Sequence, residues 1–483
     1  MRVILRGLLR TFPCGLTAEN HAVFSCNKRG HSFLRIKNIM LCKQSLITLN
    51  EKIRASGIAS RLVSGAFWSV LGNVLGRGLI LLSFIIVARL MGQKGYGEFA
   101  IIRSTILMFS VLSGAALGLT AARYIALYRN TEPRKMYEVY LLSHYFSIGT
   151  GFLIAILLYI FAPLIAAQSL HAADLAGEIR YGAAVLFFIT ITSVQIGILQ
   201  GFERFKTIAI NTILYGIIQL PCLSLGAYFY GIRGVISGMA LSHFCFFLFN
   251  KWSIRQSIAH KATGNGGAKG IHKDTISIIW KFSLPAVMSS FLVIAVIWWC
   301  KTMIVKTNGF EAMANYDVAE QWSIMILFIP SILAGMIIPI LSNILSEGTA
   351  AQYKKLVNIN IIINVLISVP AAFVILLFSS LILKSYGSGF NDTRTFMVLV
   401  LSTIPNATAA VLGNIIVSKG KMWTGFILNG IWAIWLILFF FLFVGKMGHG
   451  AFGLALAMLM SYILHVILSY AYVWAKMMNN NEI

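Results

Sequence analysis

Apolar stretches of about twenty residues recur through most of the chain, each interrupted by only a few polar or basic positions. Continuous apolar runs of this length are typical of helices that cross a bilayer, whereas membrane β-strands alternate over about ten residues. The pattern predicts an all-α polytopic membrane protein with about twelve transmembrane helices. The predicted spans are 63–89, 99–121, 141–167, 181–201, 207–230, 234–252, 280–305, 320–344, 357–383, 393–417, 424–445 and 450–475.

One long polar stretch, "HKATGNGGAKGIHKD" at 260–274, has the composition of a linker and follows the sixth predicted span. It divides the chain into a first six-helix bundle at 61–255, a cytoplasmic linker at 256–279 and a second bundle at 280–483. The basic tail at 1–60 precedes them. A disordered tail or a start at Met40 explains this segment better than a targeting peptide, and no function is assigned to it.

The two bundles are related by a repeat with an offset of 217 residues. The offset, with a later shift of two positions, aligns Arg89 with Lys306, Gly92 with Gly309, Phe99 with Tyr316, Gly118 with Gly335, Arg204 with Lys421 and Gly234 with Gly453. Because six is even, both halves start on the same side of the membrane, so the repeats are parallel. This arrangement predicts two bundles around a central cavity and alternating access by rocking.

The composition supports a membrane protein: 58% of residues are hydrophobic, 11% are charged, and soluble domains carry about 25% charged residues. The net charge of +24 is better explained by cytoplasmic loops facing anionic lipid than by nucleic-acid binding. The basic residues favour a cytoplasmic location for both termini. The six cysteines lack metal-ligand spacing, which predicts free thiols, no metal and no cofactor.

Arg77 lies deep inside the first predicted span, in "GNVLGRGLILLSFIIVARLMG" at 72–92. A charge at the bilayer centre costs about 3 kcal/mol, so it needs a reason to be there. Asn73 lies four residues earlier on the same helix face, and neighbouring glycines allow close packing or a bend. We favour a cavity-facing cation for an anionic substrate, since arginine binds phosphate through bidentate hydrogen bonds. Satisfaction by carbonyl groups of a neighbouring helix is the alternative.

Two further cations are candidates for the same site. Lys301 lies about five residues from the predicted outer end of its span, so a cavity position and snorkelling to the interface are equally consistent with its position. Arg103 lies about one turn inside the outer edge, and its repeat partner is Glu320. Among the neutral polar residues, Gln195 and Asn414 are predicted to line the cavity, and helix packing is the alternative.

The acidic residues, of which there are 15, all fall in tails, loops or span ends. Cation exporters and proton relays normally keep a carboxylate inside the membrane, so this distribution argues against cation efflux, although a span-end acid such as Glu320 remains available. No nucleotide-binding, nucleophile-elbow or metal motif is present. The chain is therefore predicted to be a transporter without catalytic residues.

The segment 87–126, "VARLMGQKGYGEFAIIRSTILMFSVLSGAALGLTAARYIA", resembles the polysaccharide-export and O-antigen flippases of the multidrug/oligosaccharidyl-lipid/polysaccharide superfamily. In that family the first external loop reads approximately Leu-Gly-Pro-x-x-Tyr-Gly-x-Phe-Ala, and "MGQKGYGEFA" matches with glutamine replacing proline. The second-half equivalent, "ANYDVA" at 314–319, departs at the family's glycine. Lys301 lies in the seventh span, where the family often carries an aspartate.

The resemblance implies a bacterial inner-membrane flippase that moves a polyprenyl-diphosphate-linked oligosaccharide, such as an O-antigen unit, from the cytoplasmic to the periplasmic leaflet. It implies that Arg77 binds the diphosphate with help from Lys301 or Arg103. Membrane lipids and the polymerase and chain-length proteins of the same pathway are the implied partners, and nucleic acid is not. A multidrug or cation efflux antiporter of the same superfamily is the alternative.

Overall fold

A computed structural model describes residues 57–259, 284–347, 350–419 and 421–478, and these stretches are helical with short connecting turns and no strand. The predicted tail at 1–60 and linker at 256–279 lie largely outside the described residues. In chain order the helices are α1 Gly57–Leu112, α2 Ala115–Tyr128, α3 Pro133–Leu164, α4 Ala176–Gly201, α5 Phe205–Ala259, α6 Leu284–Glu347, α7 Ala350–Leu377, α8 Ser379–Tyr386, α9 Thr393–Leu401, α10 Thr403–Ser418, α11 Met422–Phe440 and α12 Gly450–Tyr472.

Three of these helices are far longer than a bilayer is thick, and each contains a break at a glycine. The backbone of α1 leaves the helical conformation at Gly92 (φ 69°), that of α5 at Gly231 (φ 57°) and that of α6 at Gly309 (φ 82°). Positive φ values are accessible to glycine without steric cost. Each long helix is therefore two segments joined at a glycine.

Nine helices in the described part of the chain are long and apolar enough to cross a membrane. The all-helical membrane fold predicted from the sequence is confirmed. The candidates that contain Gly92, Gly231 and Gly309 have 46, 54 and 42 residues, whereas about 20 residues cross the bilayer. Dividing these three at their glycines gives the twelve predicted spans, and that count stays a prediction.

The backbone repeats at the spacing that the sequence alignment uses. Gly92 and Gly309 lie 217 positions apart and share a ψ of 178°. Gly231 and Gly448, also 217 positions apart, both have positive φ values, of 57° and 69°. Two independent pairs of breaks at one offset show that equivalent positions of the chain adopt equivalent turns. The proposed bundle boundaries at 61–255 and 280–483 stay predictions.

Small residues allow helices of the first half to approach closely. A Cβ atom added to Gly197 of α4 would overlap the backbone of Gly118 of α2, and one added to Gly72 of α1 would overlap Ala209 of α5. In a membrane, where lipid is as apolar as leucine, such close packing is a main source of helix association. These glycines fix the distances between α1, α2, α4 and α5.

We expect Gly197→Ala to destabilise the first half by about 1–3 kcal/mol, because the added methyl group must push the α2 backbone away. The matched control is Gly149→Ala on α3, where a Cβ meets no atom within 4 Å. Thermal unfolding of the two purified variants in one detergent measures the difference. Equal melting temperatures would contradict the tight α2–α4 contact.

Candidate functional site

A buried carboxylate, Asp317, joins the two halves at the end of the molecule that contains Gly92 and Gly309, called here the closed end. Its Oδ1 accepts a hydrogen bond from Arg103 Nη2 at 2.6 Å, and its Oδ2 accepts one from Tyr96 Oη at 2.9 Å. Tyr96 and Asp317 have no exposed surface, and Arg103 is 6% exposed. Both donors lie on α1 and the acceptor lies on α6, so this network ties the first half to the second.

Arg103 makes further contacts through its guanidinium, although its Nε has no hydrogen-bond partner among the described residues. Its guanidinium lies over the Phe84 ring, with Cζ 4.5 Å from the ring centroid. Gln321, with its amide oxygen turned towards the guanidinium, accepts from Nη1 at 3.0 Å and also from Nη2. Removing one partner of such a buried pair costs about 3–5 kcal/mol, because the other charge is left uncompensated.

Lys301 forms a second ion pair beside the first. Its Nζ lies 2.6 Å from Glu320 Oε2, and the lysine side chain is only 7% exposed. Lys301 therefore does not snorkel to the interface; it is neutralised within α6 by a residue on the other side of the Gly309 break. Of the three predicted phosphate-binding cations, Arg103 and Lys301 each already have a carboxylate partner.

The closed end is also sealed by backbone contacts between the halves. Arg89 Nε donates to the Ser385 carbonyl at 2.5 Å, and Gln93 Nε2 donates to the Glu311 carbonyl at 3.4 Å. A Cβ atom on Gly97 would overlap the backbone of Phe310. Backbone groups as well as side chains therefore join the halves along this edge.

A cavity of about 800 Å³ lies at the other end of the halves. Among the described residues that line it, Leu119 and Arg123 come from the first half, and every other residue comes from the second half. Ser289 of the lining precedes Gly309 by 20 positions on one uninterrupted segment of α6, equivalent to about 30 Å, which places the cavity away from the closed end. Among the described lining residues Arg123 is the one that carries a charge. The other polar lining residues carry mostly carboxamide and hydroxyl groups: Ser289, Ser290, Asn406, Asn414, Ser418, Asn429, Tyr462, His465 and Ser469.

Arg77 differs from the other two predicted cations. It is half-buried, its Cζ lies 5.0 Å from the centroid of the Phe328 ring, and the described residues offer it no hydrogen bond or ion pair. It borders a separate pocket of about 250 Å³, lined by Ile80, Leu81, Gln321, Ile324 and Met325. The surrounding glycines act as the sequence suggested: Gly72 and Gly76 pack against α5, whereas Gly78 faces open space.

The neutral residues predicted to line a cavity do not form one group. Asn414 does line the large cavity. Asn73 donates to the Ser69 carbonyl of its own helix at 2.8 Å. Gln195 is 1% exposed, it borders neither of these pockets, and its two amide atoms have no partner among the described residues. The cations and amides named from the sequence are therefore distributed over several places.

Asp317 is the important residue that the sequence reasoning did not select. It lies between the predicted spans 280–305 and 320–344, among the acids expected in tails, loops or span ends, and the structure shows that its side chain is fully buried. Asp317 and Glu320 are three residues apart, so they share one helix face. The repeat already aligns Arg103 with Glu320, and that alignment was the available signal that this face meets Arg103.

The fold is shared with solved transporters of the MOP superfamily. An inward-facing multidrug resistance MATE family transporter of that superfamily superposes with a TM-score of 0.68, at 15% identity over 85% of this chain and 97% of its own. A MOP superfamily transporter from Pyrococcus furiosus, described as having a binding pocket of reversed polarity, superposes with a TM-score of 0.66. It is 16% identical, and the match covers 86% of this chain and 95% of that protein. At these identities the likeness concerns the fold alone.

The chain belongs to the family described as "Polysaccharide biosynthesis protein", which matches residues 62–345. It is 22% identical over 409 residues to the EPS I polysaccharide export inner membrane protein EpsE of Ralstonia solanacearum, covering 82% of this chain and 90% of that protein. It is also 20% identical over 377 residues to a Shigella flexneri protein provisionally described as an O-antigen transporter, covering 74% and 85%. The family suggested by the first-loop motif is confirmed.

We expect Asp317→Leu to lower stability by about 3–5 kcal/mol, and the double variant Arg103→Leu with Asp317→Leu to lower it by much less. The single change leaves a buried arginine without its counter-charge, whereas the double change removes both charges. Thermal unfolding of the wild-type protein, the single variants Asp317→Leu and Arg103→Leu and the double variant measures the coupling. The control is Glu132→Gln in the exposed Lys135–Glu132 pair, which should change stability by less than about 1 kcal/mol. Additive effects of the two leucine changes would contradict the pairing.

Proposed function

We propose that this membrane transporter exports polysaccharide precursors, and more narrowly that it moves a polyprenyl-diphosphate-linked oligosaccharide from the cytoplasmic to the periplasmic leaflet. The observation that carries the proposal is Arg77: a half-buried cation beside a pocket, with no carboxylate partner among the described residues. The polysaccharide-export and O-antigen names of its relatives support the same class of substrate.

The diphosphate is the part of the substrate that Arg77 is suited to bind. Its guanidinium stays charged and offers a planar set of N–H donors that match phosphate oxygens. Its contact with Phe328 holds the group in place without neutralising it, since the ring face supplies only a weak attraction of about 0.5–2 kcal/mol. A phosphate group therefore meets a cation whose charge is still available.

Arg103 and Lys301 take a different part in the proposed mechanism. Each is already paired with an acid at the closed end, so binding the diphosphate would require these pairs to separate. We propose that the pairs hold the closed end shut while the opposite cavity is open, and that they separate when the halves rock. With the closed end facing the periplasm, both termini lie in the cytoplasm, and the product is delivered to enzymes that polymerise glycan outside the membrane.

Cation efflux, the alternative function, is less consistent with the distribution of charge. The buried carboxylate Asp317 and its neighbour Glu320 are each neutralised by a basic side chain. Among the described residues that line the large cavity and the Arg77 pocket there is no acidic side chain. A cationic drug would find like charge at Arg77 and Arg123, whereas an anionic lipid would find attraction.

We expect Arg77→Ala to abolish surface glycan assembly in cells that lack the native copy, while the protein still reaches the membrane. Arg77→Lys should retain part of the activity, because it keeps the charge but loses the bidentate geometry. Binding of undecaprenyl diphosphate to the purified protein in lipid nanodiscs should weaken about 10- to 150-fold in the alanine variant. The control is Arg180→Ala, an exposed arginine on α4. Normal glycan chains on cells with Arg77→Ala would refute the phosphate site.

A further inference from the structure

We infer that the large cavity of the second half is a sugar-recognition subsite, separate from the pocket in which Arg77 would hold the diphosphate. This inference rests on the proposed function and adds to it the part of the molecule that selects the glycan. The two pockets share no lining residue. Lipid diphosphate and sugar are therefore recognised by different side chains.

The cavity has the size and open surface that a glycan needs. Its volume of about 800 Å³ lies within the usual range of ligand sites, about 300–1,000 Å³. Two lining glycines, Gly413 of α10 and Gly425 of α11, face open space, because a Cβ atom added to either would meet no atom within 4 Å. Glycine inside a helix lowers its stability, and these two make no close helix contact to compensate for that cost. Their effect is to widen the cavity.

Two buried side chains of the lining each have one nitrogen atom without a hydrogen-bond partner among the described residues. Trp432 of α11 is 2% exposed and His465 of α12 is 8% exposed. Trp432 Nε1 and His465 Nδ1 have no partner among the described residues. Nearly all buried polar atoms in proteins are paired, so such atoms beside a cavity indicate that a ligand or water completes them, after a small side-chain shift where needed.

The chemistry of the lining indicates the class of ligand. The rings of Trp432 and Tyr462 pack 5.3 Å apart in the cavity wall, while Asn406, Asn414 and Asn429 offer amide groups. Asn429 also donates to Ser289 Oγ at 3.0 Å, which holds its amide in place. Hydroxyl and acetamido groups of sugars both donate and accept hydrogen bonds, as amides and hydroxyls do.

The charge of the cavity excludes one kind of sugar. Its described lining carries one basic residue, Arg123, and no carboxylate. A sugar with a free ammonium group would be desolvated there without a counter-charge. The subsite therefore favours neutral and N-acetylated sugars over sugars with a free ammonium group.

Filling the cavity tests the inference. Two probes are used. One is the lipid-linked oligosaccharide extracted from cells that lack this protein, and the other is undecaprenyl diphosphate, which has no sugar. In wild-type protein in nanodiscs, the sugar-bearing lipid should bind at least about 10-fold more tightly. Gly413→Phe and Gly425→Phe should remove that advantage and leave the affinity for undecaprenyl diphosphate within about twofold of the wild-type value. Gly149→Phe, also in open space but outside the cavity, is the control.

A second pair of variants tests the unpaired indole N–H group of Trp432. Trp432→Phe keeps an aromatic ring and removes the N–H group, so affinity for the sugar-bearing lipid should fall about 3- to 10-fold. Trp423→Phe is the matched control, because Trp423 lies on the same helix, is 57% exposed and does not line the cavity. Affinity for undecaprenyl diphosphate should not change in either variant.

The outcomes separate the inference from the proposed function. If wild-type protein binds neither lipid, the proposed function fails and the inference fails with it. If wild-type protein binds both lipids with equal affinity, the sugar subsite is wrong and the diphosphate site stands. The same conclusion follows if the phenylalanine variants in the cavity lower the affinity for both lipids alike, or for neither. Loss confined to the sugar-bearing lipid supports the subsite.

Discussion

The buried contact of Asp317 with Arg103 and Tyr96 is the constraint on which the arrangement of the two halves depends. A carboxylate and a guanidinium withdrawn from water are tolerated only together, so the halves cannot part at this edge unless both charges are rehydrated or paired elsewhere. The neighbouring Lys301–Glu320 pair adds a second compensated charge beside it. Because the halves are held together here, the free space between them lies at the opposite end, where the large cavity is found.

The two halves share a backbone arrangement, but the side chains proposed to act in function differ between them. Gly92 and Gly309 give the same backbone turn in each half. The side chains that matter are not repeated: Arg77 aligns with Ile294, and Arg103 aligns with Glu320. At the closed end the first half contributes Arg103, and the second half contributes the acids Asp317 and Glu320. Amide and hydroxyl groups of the second half line the large cavity. A symmetric frame thus encloses an asymmetric site, which suits a ligand with an anionic end and a polar, uncharged end.

The sequence predicted the parts that follow from the solvent and from repetition. Apolar runs predict the membrane helices because the bilayer satisfies no backbone hydrogen bond, and the offset of 217 pairs Gly92 with Gly309, which adopt the same backbone turn. Arg77 was also predictable from its position, because a charge so deep in a span is costly and needs a functional reason. Partners were not predictable, because Asp317 and Arg103 are 214 residues apart, and only the packing of α1 against α6 brings them together. Asn414 and Gln195 are both polar residues in apolar spans, and only helix packing decides that Asn414 lines the cavity while Gln195 is buried.

The contact between Arg77 and Phe328 has an electrical consequence. A cation held against an aromatic ring keeps its full charge, whereas the Arg103–Asp317 and Lys301–Glu320 pairs are each neutral as units. Any movement of Arg77 along the membrane normal therefore carries charge through the transmembrane field, which acts with about 2.3 kcal/mol per elementary charge for a full crossing at 100 mV. A bound diphosphate would outweigh this single positive charge and reverse its sign. The loaded and empty carriers would then respond to the membrane voltage in opposite directions.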